Sequence, residues 1–293
     1  MRGDLRLRPE ITGYLFVLPA MLGLLAFGVM PLVSAFVVSL HNYDLVNPRP
    51  PYVGVSNYTS LATDGVFWVA LRNTSVYALM LVPLQTAVGL SLAVMVQPTT
   101  RWIAFLRASY FLPVVISYVV AAGLWEILFA TPNGPMNSLL ALAHLPAQLF
   151  FQDPQQALPL IALMSSWKWS GITMLIYLSG LHEIPAELYE AAGVDGAGGL
   201  RQFWTITWPL LHRITLFVLV VNTIEAFKIF TPVYVITKGG PLNATTVLVF
   251  HLFREGFRYI HLGYASALSF VLLVLILALA ALQFWVLREE PAG

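Results

Sequence analysis

The stretch EIPAELYEAAGVDGAGGLRQFWTITWPLL, Glu183 to Leu211, separates two long apolar runs and decides how the rest of the chain is read. Pro185 suits the first turn of a helix, where its missing N–H costs nothing. Glu187 and Glu190 then fall in the early turns, next to the positive end of the helix dipole. Ala191 and Ala192 leave a low surface that another protein can approach closely. Gly193, Gly196, Gly198 and Gly199 punctuate the end of this helix, and Asp195 is a cap or turn residue leading into the next segment. A second short helix is expected over about Leu200 to Thr207, leading to Pro209. An amphipathic segment lying on a bilayer would be rich in Lys and Arg. This one holds three Glu and one Asp against Arg201, with Arg213 just beyond it. It reads as a surface built to be gripped by a partner.

The flanks are made for lipid. The chain has 293 residues, 58% of them hydrophobic and 10% charged, with a mean hydropathy of +0.78. Average proteins carry roughly 25% charged residues, so most side chains here must face lipid or other helices. A net charge of +1 gives no basic surface for nucleic acid. The absence of cysteine excludes disulfides and Cys-based metal or nucleophile chemistry. In lipid the backbone must satisfy itself, so spans are helices or closed barrels. The apolar runs are long and continuous rather than alternating, which selects helices.

Six runs approach the roughly 20 residues a span needs. They cover about 12–40, 76–96, 104–129, 157–181, 214–237 and 263–287. The first is too long, and too directly followed by Asn and Tyr, for a cleaved signal peptide. Glu126 lies in the third, Lys168 in the fourth, and Glu225 with Lys228 in the fifth. Pro19, Pro31, Pro83, Pro113 and Pro232 sit inside spans, where each removes a donor and bends the helix locally. With the N-terminus inside, Arg2, Arg6, Arg8, Arg101, Arg107, Arg201, Arg213 and Arg288 are cytoplasmic. Arg49, Lys238, Arg254 and Arg258 fall outside, with Arg72 near that face. Six spans return the C-terminus to the cytoplasm. The outer connections carry turn signals: Asn47-Pro48-Arg49-Pro50-Pro51, Thr131-Pro132-Asn133-Gly134-Pro135 and Gly239-Gly240-Pro241. Between Thr245 and Tyr259 a short helix is expected at the outer interface. No internal repeat or separate soluble domain is visible, so residues 1–293 read as a single transmembrane domain.

Glu190-Ala191-Ala192, three residues, Gly196, nine residues, then Ile206, one spacer, Trp208 and Pro209 form a spaced pattern. It resembles the cytoplasmic EAA loop of permeases in binding-protein-dependent ABC importers. Ile184-Pro185, Asp195-Gly196-Ala197, Phe203 and Ile206 resemble the carbohydrate branch, the maltose/glycerol-3-phosphate type. So do Asn73-Thr74, Gly134-Pro135-Met136-Asn137, Trp167, Lys228, Phe230, Thr237-Lys238-Gly239-Gly240-Pro241 and Gly263-Tyr264-Ala265-Ser266-Ala267. Trp208 departs from the family's usual Leu. The Thr-x-Gly-Gly-Pro segment and the extended first span are more similar to the first permease of a heteropair. The resemblance implies an all-α six-helix permease fold in the inner membrane, with Glu187, Glu190, Ala191, Ala192, Asp195 and Gly196 docking on an ATPase. It further implies a second homologous permease, two ATPase subunits that bind ATP and Mg, and an extracytoplasmic binding protein.

Ionisable residues at membrane depth default to functional candidates. Glu225 and Lys228 are three apart and share a helix face, with Asn222 one turn earlier. A sugar path needs such groups for hydroxyls and aromatic faces for C–H surfaces. Trp167 and Trp169, flanking Lys168, can supply the latter. Equally, Glu225–Lys228 reads as an internal ion pair, Lys168 as snorkelling, and Trp167 as an interfacial anchor. The six histidines show no metal-ligand spacing, and no phosphate-binding Gly-x4-Gly-Lys-Ser/Thr loop is present. The chain therefore reads as a non-enzymatic permease of a sugar or related polyol. The rival reading is an ion-coupled secondary transporter with Glu126 and Glu225 as relay.

Overall fold

The computed structural model describes residues 9–44, 49–98 and 100–286. Arg2, Arg6, Arg8, Asn47, Pro48, Leu287 and Arg288, invoked above, lie outside the described residues. Helices dominate. In chain order they are α1 (Pro9–Leu24, a π-helical turn at Leu25–Val29, then Met30–Ser39), α2 (Ser56–Thr63), α3 (Gly65–Met95), α4 (Arg101–Val115), α5 (Tyr118–Leu128) and α6 (Pro135–Leu142). The second half of the chain holds α7 (Ala157–Glu183), α8 (Ala186–Val194), α9 (Gly199–Gln202, continued by a π turn at Phe203–Thr207 and by Trp208–Leu210), α10 (His212–Phe227), α11 (Leu248–Phe253) and α12 (Leu262–Val286).

Three helices are long and apolar enough to cross a bilayer alone: Phe16–Ser39, Gly65–Met95 and Leu262–Val286. Two further pairs qualify only as bent pairs, Arg101–Val115 with Tyr118–Leu128 at 96° and Gly199–Leu210 with His212–Phe227 at 68°. The third span, where Pro113 is expected to bend the helix locally, is broken. Pro113 deprives the last turn of α4 of one donor, and the chain bends over Ile116 and Ser117. The expected second span starts at Gly65, earlier than about Val76, because Asp64 caps it by accepting from the Val66 N–H at 2.8 Å. The expected fifth span ends as α-helix at Phe227 and resumes only as a π turn over Val233–Thr237. α7 is long enough to span, but Ser165, Ser166, Lys168, Ser170 and Thr173 dilute its apolar run, and the structure buries all five.

The described chain divides into two compact units. Residues 1–63 and 252–271 form the smaller. There the α1 terminus is pinned by Asn57, whose amide donates to Ser39 O at 2.8 Å and His41 O at 3.0 Å. Phe36 meets Phe270 edge-on at 5.3 Å between centroids. The hydrophobic window of α1 has no buried residue, as a lipid- or partner-facing helix requires.

Residues 64–251 and 272–293 form the larger unit. Its core joins Leu90, Ala93 and Val96 to Met174, Tyr177, Leu178 and Leu181, with Leu211 and Val218. α3 and α7 approach closely because Gly89 has no side chain: a Cβ there would lie 2.7 Å from Thr173 Cβ. Gly89→Val is therefore expected to overpack this crossing and destabilise the protein by about 1–3 kcal/mol. Gly123→Ala, facing open space within this chain, serves as the control. The thermal midpoint of the purified protein should fall for the first and hold or rise for the second.

At one end of this unit Asn73 donates to Asn243 O at 2.8 Å and Thr246 O at 3.0 Å, and Thr74 Oγ1 accepts from the Leu248 N–H at 2.9 Å. Gly239 takes φ +85°, and a Cβ there would sit 2.7 Å from Phe250. These contacts explain locally why Asn-Thr and Thr-x-Gly-Gly-Pro occur together.

Candidate functional site

Two features of the larger unit are candidates: a cavity among its long helices, whose wall mixes apolar and polar groups, and the 183–211 loop. The cavity, of about 390 Å³, is walled by Tyr77, Leu81 and Gln85 from α3, Tyr118 from α5, Ser165, Trp169 and Thr173 from α7, and Asn222 and Glu225 from α10. Lys228, Phe230 and Thr231 close it where α10 breaks. Its size is within the range of small-molecule sites.

Four helices contribute polar groups, in two hydrogen-bonded sets. Gln85 Nε2 donates to Thr173 Oγ1 at 3.1 Å and to Asn222 Oδ1 at 3.3 Å. The Tyr118 and Ser165 hydroxyls share a 2.8 Å hydrogen bond. Gln85 Oε1 and Asn222 Nδ2 are buried without a hydrogen-bond partner among the described residues. One is an acceptor and the other a donor. Buried polar groups are normally satisfied, so these two residues of the cavity wall keep an acceptor and a donor that no side chain here uses. Lys228 Nζ pairs with Glu225 Oε1 at 2.8 Å, both half exposed. The cavity thus carries both signs of charge in one closed pair, and no unneutralised cation among these wall residues.

Of the residues singled out from the sequence, Asn222, Glu225 and Lys228 come together on this wall. Trp167 and Lys168 do not line it. Trp167 packs against Trp125 at 6.0 Å. Lys168 turns to the broken third span, donating to Pro113 O at 3.0 Å, Val114 O at 3.2 Å and Ile116 O at 2.7 Å. Glu126 lines a different pocket from Glu225, with Phe151, Thr237 and Pro241. Sequence reasoning missed Tyr77, Gln85, Tyr118, Ser165 and Thr173. Gln85, the one amide between Val76 and Met95 of α3, was the available signal. Among the described residues no cluster of three or more His, Asp or Glu is placed to hold a metal.

The loop is built as a stiff part. Pro185 sits just before α8 as its N-cap, one position earlier than the sequence suggests. At the other end Gly196 takes φ +79°. Its N–H donates to Gly193 O at 3.0 Å, and the Ala197 N–H donates to Ala192 O at 2.8 Å. This is the paired closure of a Schellman motif, with Asp195 at the C-cap. Gln202 Nε2 ties the halves by donating to Ala197 O at 3.1 Å, and Tyr189 OH bonds Thr207 Oγ1 at 2.9 Å. The second expected helix exists as one α-turn at Gly199–Gln202 followed by a π turn. Glu187, Glu190, Ala191, Asp195 and Gly196 are exposed, and Ala192 is half-buried. Val194 is 90% exposed beside them, an apolar residue left uncovered by this chain.

Residues 74–289 match the sequence family described as the binding-protein-dependent transport system inner membrane component. A probable ABC transporter permease protein of Bacillus subtilis, YesP, is 37% identical over 92% of this chain and 88% of its own length. The lactose transport system permease protein LacF of Rhizobium radiobacter is 32% identical over 99% of this chain and 98% of its own. In fold, the chain is similar to a subunit of a bacterial alginate ABC transporter, solved with an alginate pentasaccharide-bound periplasmic protein. The TM-score is 0.85 at 21% identity, covering 95% of this chain and 94% of that one. The all-helical architecture, the apolar helices fit to cross a bilayer and the match over most of the sequence lead to one conclusion: this chain belongs to the family of binding-protein-dependent transport system inner membrane components.

Proposed function

We propose that this chain is a permease subunit of an ATP-driven importer and forms half of the path for a neutral sugar or related polyol. The observation that carries the reading is the cavity wall, where the amides of Gln85 and Asn222, each with one unused group, stand among tyrosine, serine and threonine hydroxyls and the Trp169 ring. Such walls bind polyhydroxyl groups. The closed Glu225–Lys228 pair leaves little attraction for a phosphate, which favours the sugar over the glycerol-phosphate class. Relatives of both kinds exist: LacF is named for lactose, and a 32% identical permease of Agrobacterium fabrum, UgpA, for sn-glycerol-3-phosphate.

In this reading residues 1–293 form one transmembrane domain that crosses the inner membrane six times, with both termini in the cytoplasm. Spans three and five are the bent and broken ones. Loop 183–211 lies in the cytoplasm and docks on ATPase subunits through Glu187, Glu190, Ala191, Ala192, Asp195 and Gly196. ATP and Mg belong to those partners, since this sequence has no phosphate-binding loop. A second homologous permease completes the pore, and an extracytoplasmic binding protein delivers substrate. ATPase closure, differing in affinity for the two conformations, biases the helices between outward- and inward-facing states.

The test is uptake of radiolabelled lactose, maltose, trehalose and glycerol 3-phosphate into proteoliposomes holding the assembled complex, with its binding protein outside and ATP inside. At least one neutral sugar is expected to accumulate only with ATP. Accumulation by this chain alone under a proton or sodium gradient would sink the proposal in favour of the ion-coupled rival.

A further inference from the structure

Lys168 is a charged side chain that the cavity of the proposed path does not use. It is 3% exposed on α7, at membrane depth in the proposed topology. An ammonium there is costly unless it is satisfied. The structure satisfies it at one place: the end of α4, where the last carbonyls of a helix lack intrahelical partners. Its three N–H groups reach Pro113 O, Val114 O and Ile116 O at 3.0, 3.2 and 2.7 Å. One cation thus fills three acceptors opened by the break, and its charge complements the negative end of the α4 dipole.

A second feature serves the same contact. Gly171 lies one turn beyond Lys168 on the same face, and a Cβ there would sit 2.8 Å from Tyr110 O and 3.0 Å from Phe111 Cα. Without a side chain, α7 comes close enough to the α4 backbone for a lysine to reach its end.

Tyr118 is the first residue after the bend. Its ring centroid is 5.6 Å from Lys168 Nζ, and the Trp169 ring, 6.4 Å from that of Tyr118, is 5.4 Å from the same Nζ. Both distances from Nζ suit cation–π attraction. The Tyr118 hydroxyl reaches Ser165, one turn before Lys168, at 2.8 Å. Tyr118, Ser165 and Trp169 all wall the cavity. Lys168 is therefore clamped between the break in span three and three residues of the path, while remaining outside the cavity itself.

We infer that Lys168 is a positioning residue: it holds the break between α4 and α5 and thereby sets Tyr118 in the cavity wall, without touching substrate. The geometric half of the inference stands alone, and its consequence for uptake rests on the transport reading above.

The experiment uses the assembled complex with cysteine-free partner subunits, because this chain has no native cysteine to label. Spin labels at Phe105→Cys on α4 and Leu124→Cys on α5, both exposed here, report the distance across the bend. Lys168→Met should shift and broaden that distance distribution, and Lys168→Arg, which keeps cationic donors, should largely restore it. If Lys168→Met does not assemble, Lys168→Gln is read in the same way. Uptake of the neutral sugar that the unaltered complex carries best, from lactose, maltose and trehalose, should fall about tenfold in Lys168→Met. The loss in a Lys168→Met/Tyr118→Phe double variant should not exceed that of Lys168→Met by more than about twofold, since both act through one group. A distance distribution in Lys168→Met that matches the parent overturns the inference, as do uptake losses that multiply in the double variant. A parent complex that carries none of the three sugars counts against the transport reading instead, and the distance measurement still decides the role of Lys168.

Discussion

Complexes carrying Gly196→Leu together with Glu190→Lys are expected to lose sugar uptake by about a hundredfold or more, the scale on which small misplacements of working parts act. They should also lose binding-protein-stimulated ATP hydrolysis while still inserting into the membrane. Gly196 is in the left-handed region at φ +79°. A side chain there costs about 1–2 kcal/mol of backbone strain, enough to open the Schellman closure that sets the exit from α8. Nothing among the described residues blocks a Cβ at Gly196, so the substitution acts on the backbone and on whatever is docked against it. Glu190→Lys reverses a charge on the exposed side of α8 and adds a cation beside its carbonyl-rich end. Uptake and stimulated ATP turnover measured on the same proteoliposomes decide the matter. Parent-level values for both in the double variant remove loop 183–211 from the coupling path.

That loop was legible from the sequence because its chemistry is local. Pro185, Glu187 and Gly196 each act through their own helix end, and a helix end is written within a few residues, although Glu190, expected in the early turns, falls mid-helix. The long apolar runs were legible for a similar reason, since bilayer thickness fixes their length. The breaks were not. Pro113 marks a weak point, but Pro83 lies inside α3 without ending it. What separates them is partly a lysine 55 residues further along the sequence, Lys168, aimed at the carbonyls that the break exposes. Hydrophobic pattern carries no information on such a partner. The cavity divides in the same way. Asn222, Glu225 and Lys228 stood out because charge and amide groups are rare in a membrane run. Tyr77, Tyr118, Ser165 and Thr173 are ordinary membrane-helix residues, and only the packing of four helices brings them to one wall. Lys168 drew attention for its charge, yet its partners are backbone atoms, which no residue code displays.

Asn222→Leu is expected to reduce uptake of the carried sugar about 10- to 100-fold, while the thermal midpoint of the purified complex stays within a few degrees of the parent. The two halves of this expectation have different causes. Asn222 Nδ2 has no partner among the described residues, so its removal relieves an unsatisfied buried donor rather than breaking a bond. Its Oδ1 accepts only a long 3.3 Å contact from Gln85 Nε2, which retains Thr173 Oγ1 at 3.1 Å. Replacing a polar group with an apolar one of similar volume is close to neutral when its partner keeps another bond. The transported molecule has no such alternative. A hydroxyl passing this wall loses a donor and meets an apolar surface, and a site built to hydrogen-bond a hydroxyl discriminates strongly once that match is lost, by several kcal/mol at the upper end. Asn222→Asp separates shape from chemistry. It keeps the volume and the acceptor, removes the donor and adds a negative charge near Glu225, so it should also fail in uptake. Were Asn222→Leu to unfold the complex and lower the midpoint by many degrees, the network of Gln85, Thr173 and Asn222 would be a packing device. The path would then have to run along another wall.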